Sequence, residues 1–320
     1  MKVKKLILIL ILILIIFGIV FLISKSSNPN NNEEGKIQIV STNFASYDFL
    51  RAIIGNNKNI KLTFLLGPGK EMHGYDPTAG DIIKIQNADL FVYIGGESEK
   101  WADKVLESLD NSKTKKVCIA DNVDKIEEQE IDGAEEEHDE EEEEGAFDDH
   151  IWTSPSNAIK MVQALEKAVE ELDSSNSSKY KENAEKYIAQ IKEVDGKIQG
   201  IVDKKVRDRL IFADKMPMQY FMNYYKLNVS AAFSGCSTET EPSAKTIAYL
   251  QNKIKEEKIP VVFYIELNDG RVAKTIAKET GAKAKQIQTL HNVSLDDFNK
   301  GETWVSLMTR NLKVLKTALQ

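Results

Sequence analysis

A chain of 320 residues with 42% hydrophobic content carries enough apolar material for two ordinary cores, which excludes a disordered or fibrous polypeptide. The formal net charge of −8 is localised: residues 127–149 hold fifteen Asp and Glu and no Lys or Arg, so the rest of the chain is mildly basic. Overall charge therefore carries no signal for nucleic acid, and no nucleic-acid partner is expected.

Lys2, Lys4 and Lys5 precede residues 6–23, a run of Leu, Ile, Val and Phe interrupted only by Gly18. That length spans the ~30 Å hydrocarbon core of a bilayer and exceeds a usual signal-peptide core. Residues 1–24 read as a signal peptide or membrane anchor, with the basic end cytoplasmic and the body outside the cell, anchored to the cytoplasmic membrane or secreted. No cysteine follows the run, so the usual bacterial lipid anchor is not expected. Residues 25–35, rich in Ser and Asn, read as a flexible stalk. Cys118 and Cys236, far apart and in different predicted domains, read as free thiols although an extracellular location permits a disulfide.

Strands and helices then alternate. The predicted order is strand 36–42, helix 47–54, strand 61–66, a turn-dense loop 67–77, helix 79–87, strand 90–94, helix 97–109 and strand 116–120. An acidic insert, 125–147, separates these from helix 156–172. A long helical pattern over about 180–205 has apolar positions at Ala184, Ile188, Ile191, Val194, Ile198 and Ile201 and reads as a rigid spacer. The alternation resumes with strand 210–213, helix 219–225, strand 229–233, helix 243–256, strand 261–265, helix 271–280, strand 286–290 and helix 303–319. The expected fold is α/β: two doubly wound α/β domains, 36–172 and 207–320, joined by one long helix within 173–206. Ligands of such sheets bind beyond the carboxyl ends of the strands, where His73, Glu266 and His291 fall.

The chain has four histidines, His73, His138, His150 and His291. Taken singly each reads as a surface or packed side chain. Three of them, His73, His150 and His291, sit in loops that close or follow a predicted strand, and a cleft between two domains would bring these three together. Three imidazoles suit Zn²⁺ at Zn–N distances near ~2.0–2.1 Å, with a fourth position for water or carboxylate. The rings must be neutral to bind metal, so affinity should fall below about pH 6.

The sequence resembles the periplasmic or extracellular solute-binding proteins of zinc and manganese ABC transporters. The resemblance rests on Thr42 to Asp48, the loop 67–77, Ala88-Asp89-Leu90 with Gly95 to Trp101, Asp149-His150-Ile151-Trp152 with Pro155, Glu239 to Ser243, and Leu307-Met308 with Asn311. It implies that His73 and His150 are the first two metal ligands. The third position, His in zinc binders or Glu in manganese binders, falls on Lys215, whose protonated amine cannot ligate. The fourth, usually a carboxylate, falls at or beside His291. The implied metal set is His73, His150 and His291, completed by water or a nearby carboxylate such as Glu266, which could equally position the site or cap a helix. Three nitrogen donors favour Zn²⁺ over Mn²⁺. The implied partner is a membrane permease driven by a separate ATPase, and a monomer is expected.

The acidic run with His138 occupies the place of a histidine- and acid-rich loop in zinc-binding relatives. It reads either as an electrostatic concentrator of cations or as a solvated insert. Two other functions stay open at this level. A zinc hydrolase could use a His₃ site, but no His-Glu-x-x-His motif is present. A surface adhesin would need only the membrane stalk.

Overall fold

Short apolar runs bounded by helical periods need cover on both faces, and the chain provides it twice. In the computed structural model, which describes residues 35–108, 113–135, 147–235, 237 and 241–320, each half builds a four-stranded parallel sheet. The first, in the order β2-β1-β3-β4, comprises β1 (Ile37–Ser41), β2 (Ile60–Phe64), β3 (Leu90–Tyr93) and β4 (Lys115–Cys118). The second repeats that order as β6-β5-β7-β8, with β5 (Arg209–Lys215), β6 (Asn228–Phe233), β7 (Val261–Ile265) and β8 (Lys283–Ile287). Helices α1 (Phe44–Ile54), α2 (Ala79–Gln86), α3 (Lys100–Ser108) and α4 (Pro155–Leu172) accompany the first sheet. After the long α5 (Ser177–Val202) come α6 (Gln219–Tyr225), α7 (Ala244–Glu256), α8 (Arg271–Thr280), α9 (Leu295–Asn299) and α10 (Trp304–Leu319). The chain is therefore the expected pair of doubly wound α/β domains joined by one long helix.

Strand alternation separates two kinds of core. Ile39, Leu90 and Val92 face inward, whereas Val40, Phe91 and Tyr93 face an outer cluster with Ile85, Ala102 and Val105. The inward faces do not form two separate cores. One buried cluster runs from Ile39 and Phe49 through Trp152, Leu165 and Ile191 to Phe212, Phe263 and Trp304. Residues Ile37–Gln320 accordingly make one compact unit.

Along α5 the buried stripe is Tyr180, Ala184, Tyr187, Ile191, Val194, Ile198 and Val202, at steps of three and four. Tyr180 and Tyr187 belong to this stripe, while Ile188 and Ile201 are only half-buried against it. Tyrosine fits because its hydroxyl has a carboxylate partner: Tyr187 donates to buried Asp48 and Tyr180 to half-buried Asp173.

Several elements differ from the sequence expectation, three of them near the site or its supports. Helix α1 begins at Phe44 because the Asn43 side chain accepts from Ser46 N at 2.8 Å, a cap the apolar period does not display. Strand β8 ends at Ile287, not at residue 290. It is an outer strand with exposed Lys283 and Lys285, so it lacks a continuous apolar run, and Leu290 sits beyond it in a left-handed conformation with φ 58°. His291 thus lies on a loop and not at the strand's end. The short helix α9, capped by Ser294, was not expected.

The described part of the acidic insert crosses to the second sheet. Glu127 bridges Phe147, and Asp132 bridges Ser230 of β6. Ala231 N donates to Asp132 O at 3.2 Å and Glu135 N to Ala232 O at 3.0 Å. The Asp132 carboxylate accepts from Ser230 Oγ at 2.9 Å and faces Arg209 at 3.0 Å. This strap holds the insert's first limb to the edge of β6. The predicted membrane segment 1–24, nearly all of the stalk, Cys236, and residues 136–146 with His138 lie outside the described residues. Among the described residues no helix is long and apolar enough to cross a membrane. Cys118 is a free thiol that donates to Ile94 O at 3.5 Å.

Candidate metal centre

Three loops bring the three predicted histidines to one buried place. His73 follows β2, His150 follows the insert, and His291 follows β8. One nitrogen from each ring lies within 4.8 Å of the others, a spacing that one metal ion can bridge. His73 Nε2 and His150 Nε2 are 3.2 Å apart, and the ring centroids are separated by 4.8–5.2 Å. His291 Nε2 is buried without a hydrogen-bond partner among the described residues. A buried polar nitrogen with no partner is costly, and a metal ion would satisfy it.

Each histidine backbone is fixed by a carboxylate. Asp148 Oδ1 accepts from His150 N at 2.8 Å and lies 3.1 Å from His150 Nδ1. Glu71 Oε1 accepts from His73 N at 3.3 Å and from Met72 N at 2.9 Å. Glu266 Oε1 accepts from His291 N at 2.9 Å and from Thr289 Oγ1 at 2.9 Å, while Oε2 accepts from Thr289 N at 2.8 Å. Glu266 is thus occupied in shaping the His291 loop, the positioning alternative left open by the sequence. Burial drives its carboxyl up to about 7 against those hydrogen bonds. Asp149, whose Oδ1 lies 3.5 Å from the same His150 Nδ1, accepts from Ser98 N at 3.2 Å and from the Ser98 hydroxyl. Asp148, Asp149 and His150 also form a possible ligand trio, but its carboxylates are committed to these loop contacts.

The loops are tied to one another as well. Trp152 Nε1 donates to Thr289 O at 3.1 Å, joining the His150 and His291 loops, and Trp304 Nε1 donates to Trp152 O at 2.9 Å. Asn292 Nδ2 donates to Gly67 O at 3.1 Å and to Lys70 O at 2.5 Å, and Gly69 N donates to Val293 O at 2.8 Å, joining the His291 and His73 loops. Two glycines permit close approach. A Cβ on Gly96, whose φ is +87°, would come within 3.0 Å of Asp149 Cβ; one on Gly235 would come within 3.0 Å of His150 Cε1 and of Pro217 Cα. Gly235→Ala should therefore tilt the His150 ring and weaken zinc binding by about tenfold, the lower end of what disturbing a ligand's support costs. A chelator-competition titration checks this, and an unchanged affinity would show that the loop yields instead.

Charge divides the rings. Burial, then the other two histidines, pushes the His73 pKa down to about 3. Burial, then His150 and Lys215, pushes His291 well below its ordinary value. Burial also opposes charge on His150, but Asp148 and then Asp149 outweigh it and raise that pKa. His73 and His291 are hence neutral and able to ligate, and His150 has a carboxylate to accept a hydrogen bond from its Nδ1 while Nε2 faces His73.

Lys215, at the end of β5, is almost wholly buried, and its Nζ lies 3.2 Å from Glu71 Oε2. Glu71 is the site residue that the sequence reading missed. It stands two positions before His73, but its partners Lys215 and His291 are far along the chain, and no local signal points to them.

The family described as zinc-uptake complex component A periplasmic matches residues 39–318. The zinc-binding lipoprotein AdcA of Streptococcus pneumoniae is 30% identical over 298 residues, 93% of this chain and 58% of the relative. The high-affinity zinc uptake system protein ZnuA of Bacillus subtilis is 31% identical over 301 residues, 92% of each chain. The crystal structure of the Zn(II)-bound ZnuA-like domain of S. pneumoniae AdcA superposes with a TM-score of 0.74 at 29% identity, covering 89% of this chain and all of that one. This chain spans 58% of the length of the pneumococcal relative.

Proposed function

The chain belongs to the zinc-uptake complex component A family, and on that premise we propose that it is the extracytoplasmic solute-binding component of an ABC importer, with Zn²⁺ as its cargo. The observation that carries this reading is the buried trio His73, His150 and His291, one of whose nitrogens has no partner among the described residues. Relatives named for zinc binding and zinc uptake support the same metal. Three imidazoles with supporting carboxylates favour Zn²⁺ over Mn²⁺, which prefers more oxygen donors.

In this reading the two lobes, 36–172 and 207–320, joined through 173–206, hold the ion between loops of both. The partner is a membrane permease powered by a separate ATPase, and the protein works as a monomer held at or released from the outer face of the cytoplasmic membrane. The continuous core and stapled loops favour capture by small loop adjustments over a wide hinge closure.

Elemental analysis of the purified chain should find one zinc ion. Zinc should also raise the melting temperature, since ligand at a hundredfold excess over Kd stabilises by about 2.7 kcal/mol. A chain that retains no zinc, or whose melting is indifferent to it, sinks the proposal. Turnover of ester or bicarbonate substrates would point instead to a hydrolase built on the same trio.

A further inference from the structure

Glu71 stands between two side chains of the metal centre. Its Oε1, already fixed by Met72 N and His73 N, lies 3.4 Å from His291 Nδ1, and its Oε2 lies 3.2 Å from Lys215 Nζ. His291 therefore turns Nδ1 toward a carboxylate and leaves a buried Nε2 without a partner among the described residues. His150 shows the same division of labour. Its Nδ1 is 3.1 Å from Asp148 Oδ1, and its Nε2 is 3.2 Å from His73 Nε2. A histidine that ligates through one ring nitrogen is held by an acceptor on the other, which fixes the tautomer and strengthens the donor.

We propose that Glu71 is the positioning residue of His291 and that Lys215 anchors Glu71, so the lysine serves the metal centre at one remove. The inference rests on the zinc-binding reading above. An ion pair with a carboxylate that is 47% exposed contributes little by itself. This pair has further consequence because the geometry is fixed at both ends: backbone N–H groups hold one carboxylate oxygen, and the buried lysine holds the other. The pairing also neutralises an ammonium that would otherwise repel a cation bound beside it. A lone Lys215 would harm the centre; Lys215 paired with Glu71 orients it.

The test is a double-mutant cycle in zinc affinity, measured by chelator competition on the full chain with Glu71→Gln, Lys215→Met and the double variant. Glu71→Gln should weaken zinc by about tenfold or more, as losing an outer-shell carboxylate does. Lys215→Met alone combines lost anchoring with relieved repulsion, and since both depend on the Glu71 charge, the cycle reads their joint coupling through Glu71. The substitution should be less favourable to zinc in the wild-type background than in Glu71→Gln, by about fivefold, within the usual range for coupled neighbours. In the metal-free protein, ¹⁵N spectra should show His291 as the Nδ1–H tautomer and should show that preference lost in Glu71→Gln, a change that a purely structural ion pair would not produce. An unchanged Glu71→Gln affinity, a cycle with no coupling, or coupling of opposite sign, as expected if freed Glu71 became a ligand, would overturn the proposal. Failure of the wild type itself to bind zinc would overturn the parent reading, and this one with it.

Discussion

His150→Ala should lose zinc affinity by more than the ~10–100-fold that removal of an outer-shell partner costs. Two effects combine. The variant removes a nitrogen 3.2 Å from His73 Nε2, and it takes away the partner of Asp148 and Asp149, both buried beside the ring. Removing one hydrogen-bond partner from a buried carboxylate costs about 1–3 kcal/mol, so the metal-free variant should also unfold at lower urea. His150→Gln, which keeps a hydrogen-bond donor near Asp148, should recover much of the stability and none of the tight binding. His291→Ala should behave differently. Thr289 continues to donate to Glu266, so the loop persists and the loss falls on zinc affinity with little change in metal-free stability. His150→Ala with affinity within tenfold of wild type would exclude the trio as the binding site. His291→Ala with wild-type affinity would remove His291 from the ligand set and leave two histidines as the site.

Much of this arrangement is legible in sequence because its signals are local. Strand and helix periods reveal the repeated α/β unit, and the loops after strands that carry His73 and His291 point to one cleft, whereas His150 follows the insert and no strand end places it. What the sequence hides depends on distant partners. Glu71 meets Lys215 and His291, and Trp152 meets Thr289, across intervals that no periodicity spans. Strand β8 was misplaced because an outer strand with exposed lysines resembles a loop, while Leu290 in a left-handed turn resembles a strand residue. The insert reads as one acidic block, yet Asp132 uses its charge on Arg209 and its backbone on β6. Composition alone cannot separate such a docked carboxylate from a solvated one.

The same dependence on distant contacts makes Asp48 the expected weak point of the fold. It is fully buried on α1 and accepts from Trp304 N at 2.7 Å, from the Tyr187 hydroxyl of α5, and from Arg51 at 2.5 Å. Trp304 N is one of the first donors of α10, which has no acceptor within its own helix. One carboxylate thus joins the first helix, the long helix and the last. Asp48→Ala would leave the tyrosine hydroxyl and the helix amide unsatisfied and the arginine unpaired, at a cost of roughly 3–5 kcal/mol. Asp48→Asn keeps an acceptor and should cost about 1–2 kcal/mol, near the value of one hydrogen bond to a charged group. Burial raises the Asp48 pKa despite Arg51 and the hydrogen bonds from Tyr187 and Trp304. A raised folded pKa gives stability that is fully present below the ordinary carboxylate value and lost as pH rises through the folded one. The gap between wild type and Asp48→Asn should accordingly narrow on going from acid to neutral pH. Urea unfolding of the metal-free proteins at both pH values reads each quantity. An Asp48→Ala loss under about 1 kcal/mol, the ordinary effect of a point substitution, would mean that the three helices are held by apolar packing alone.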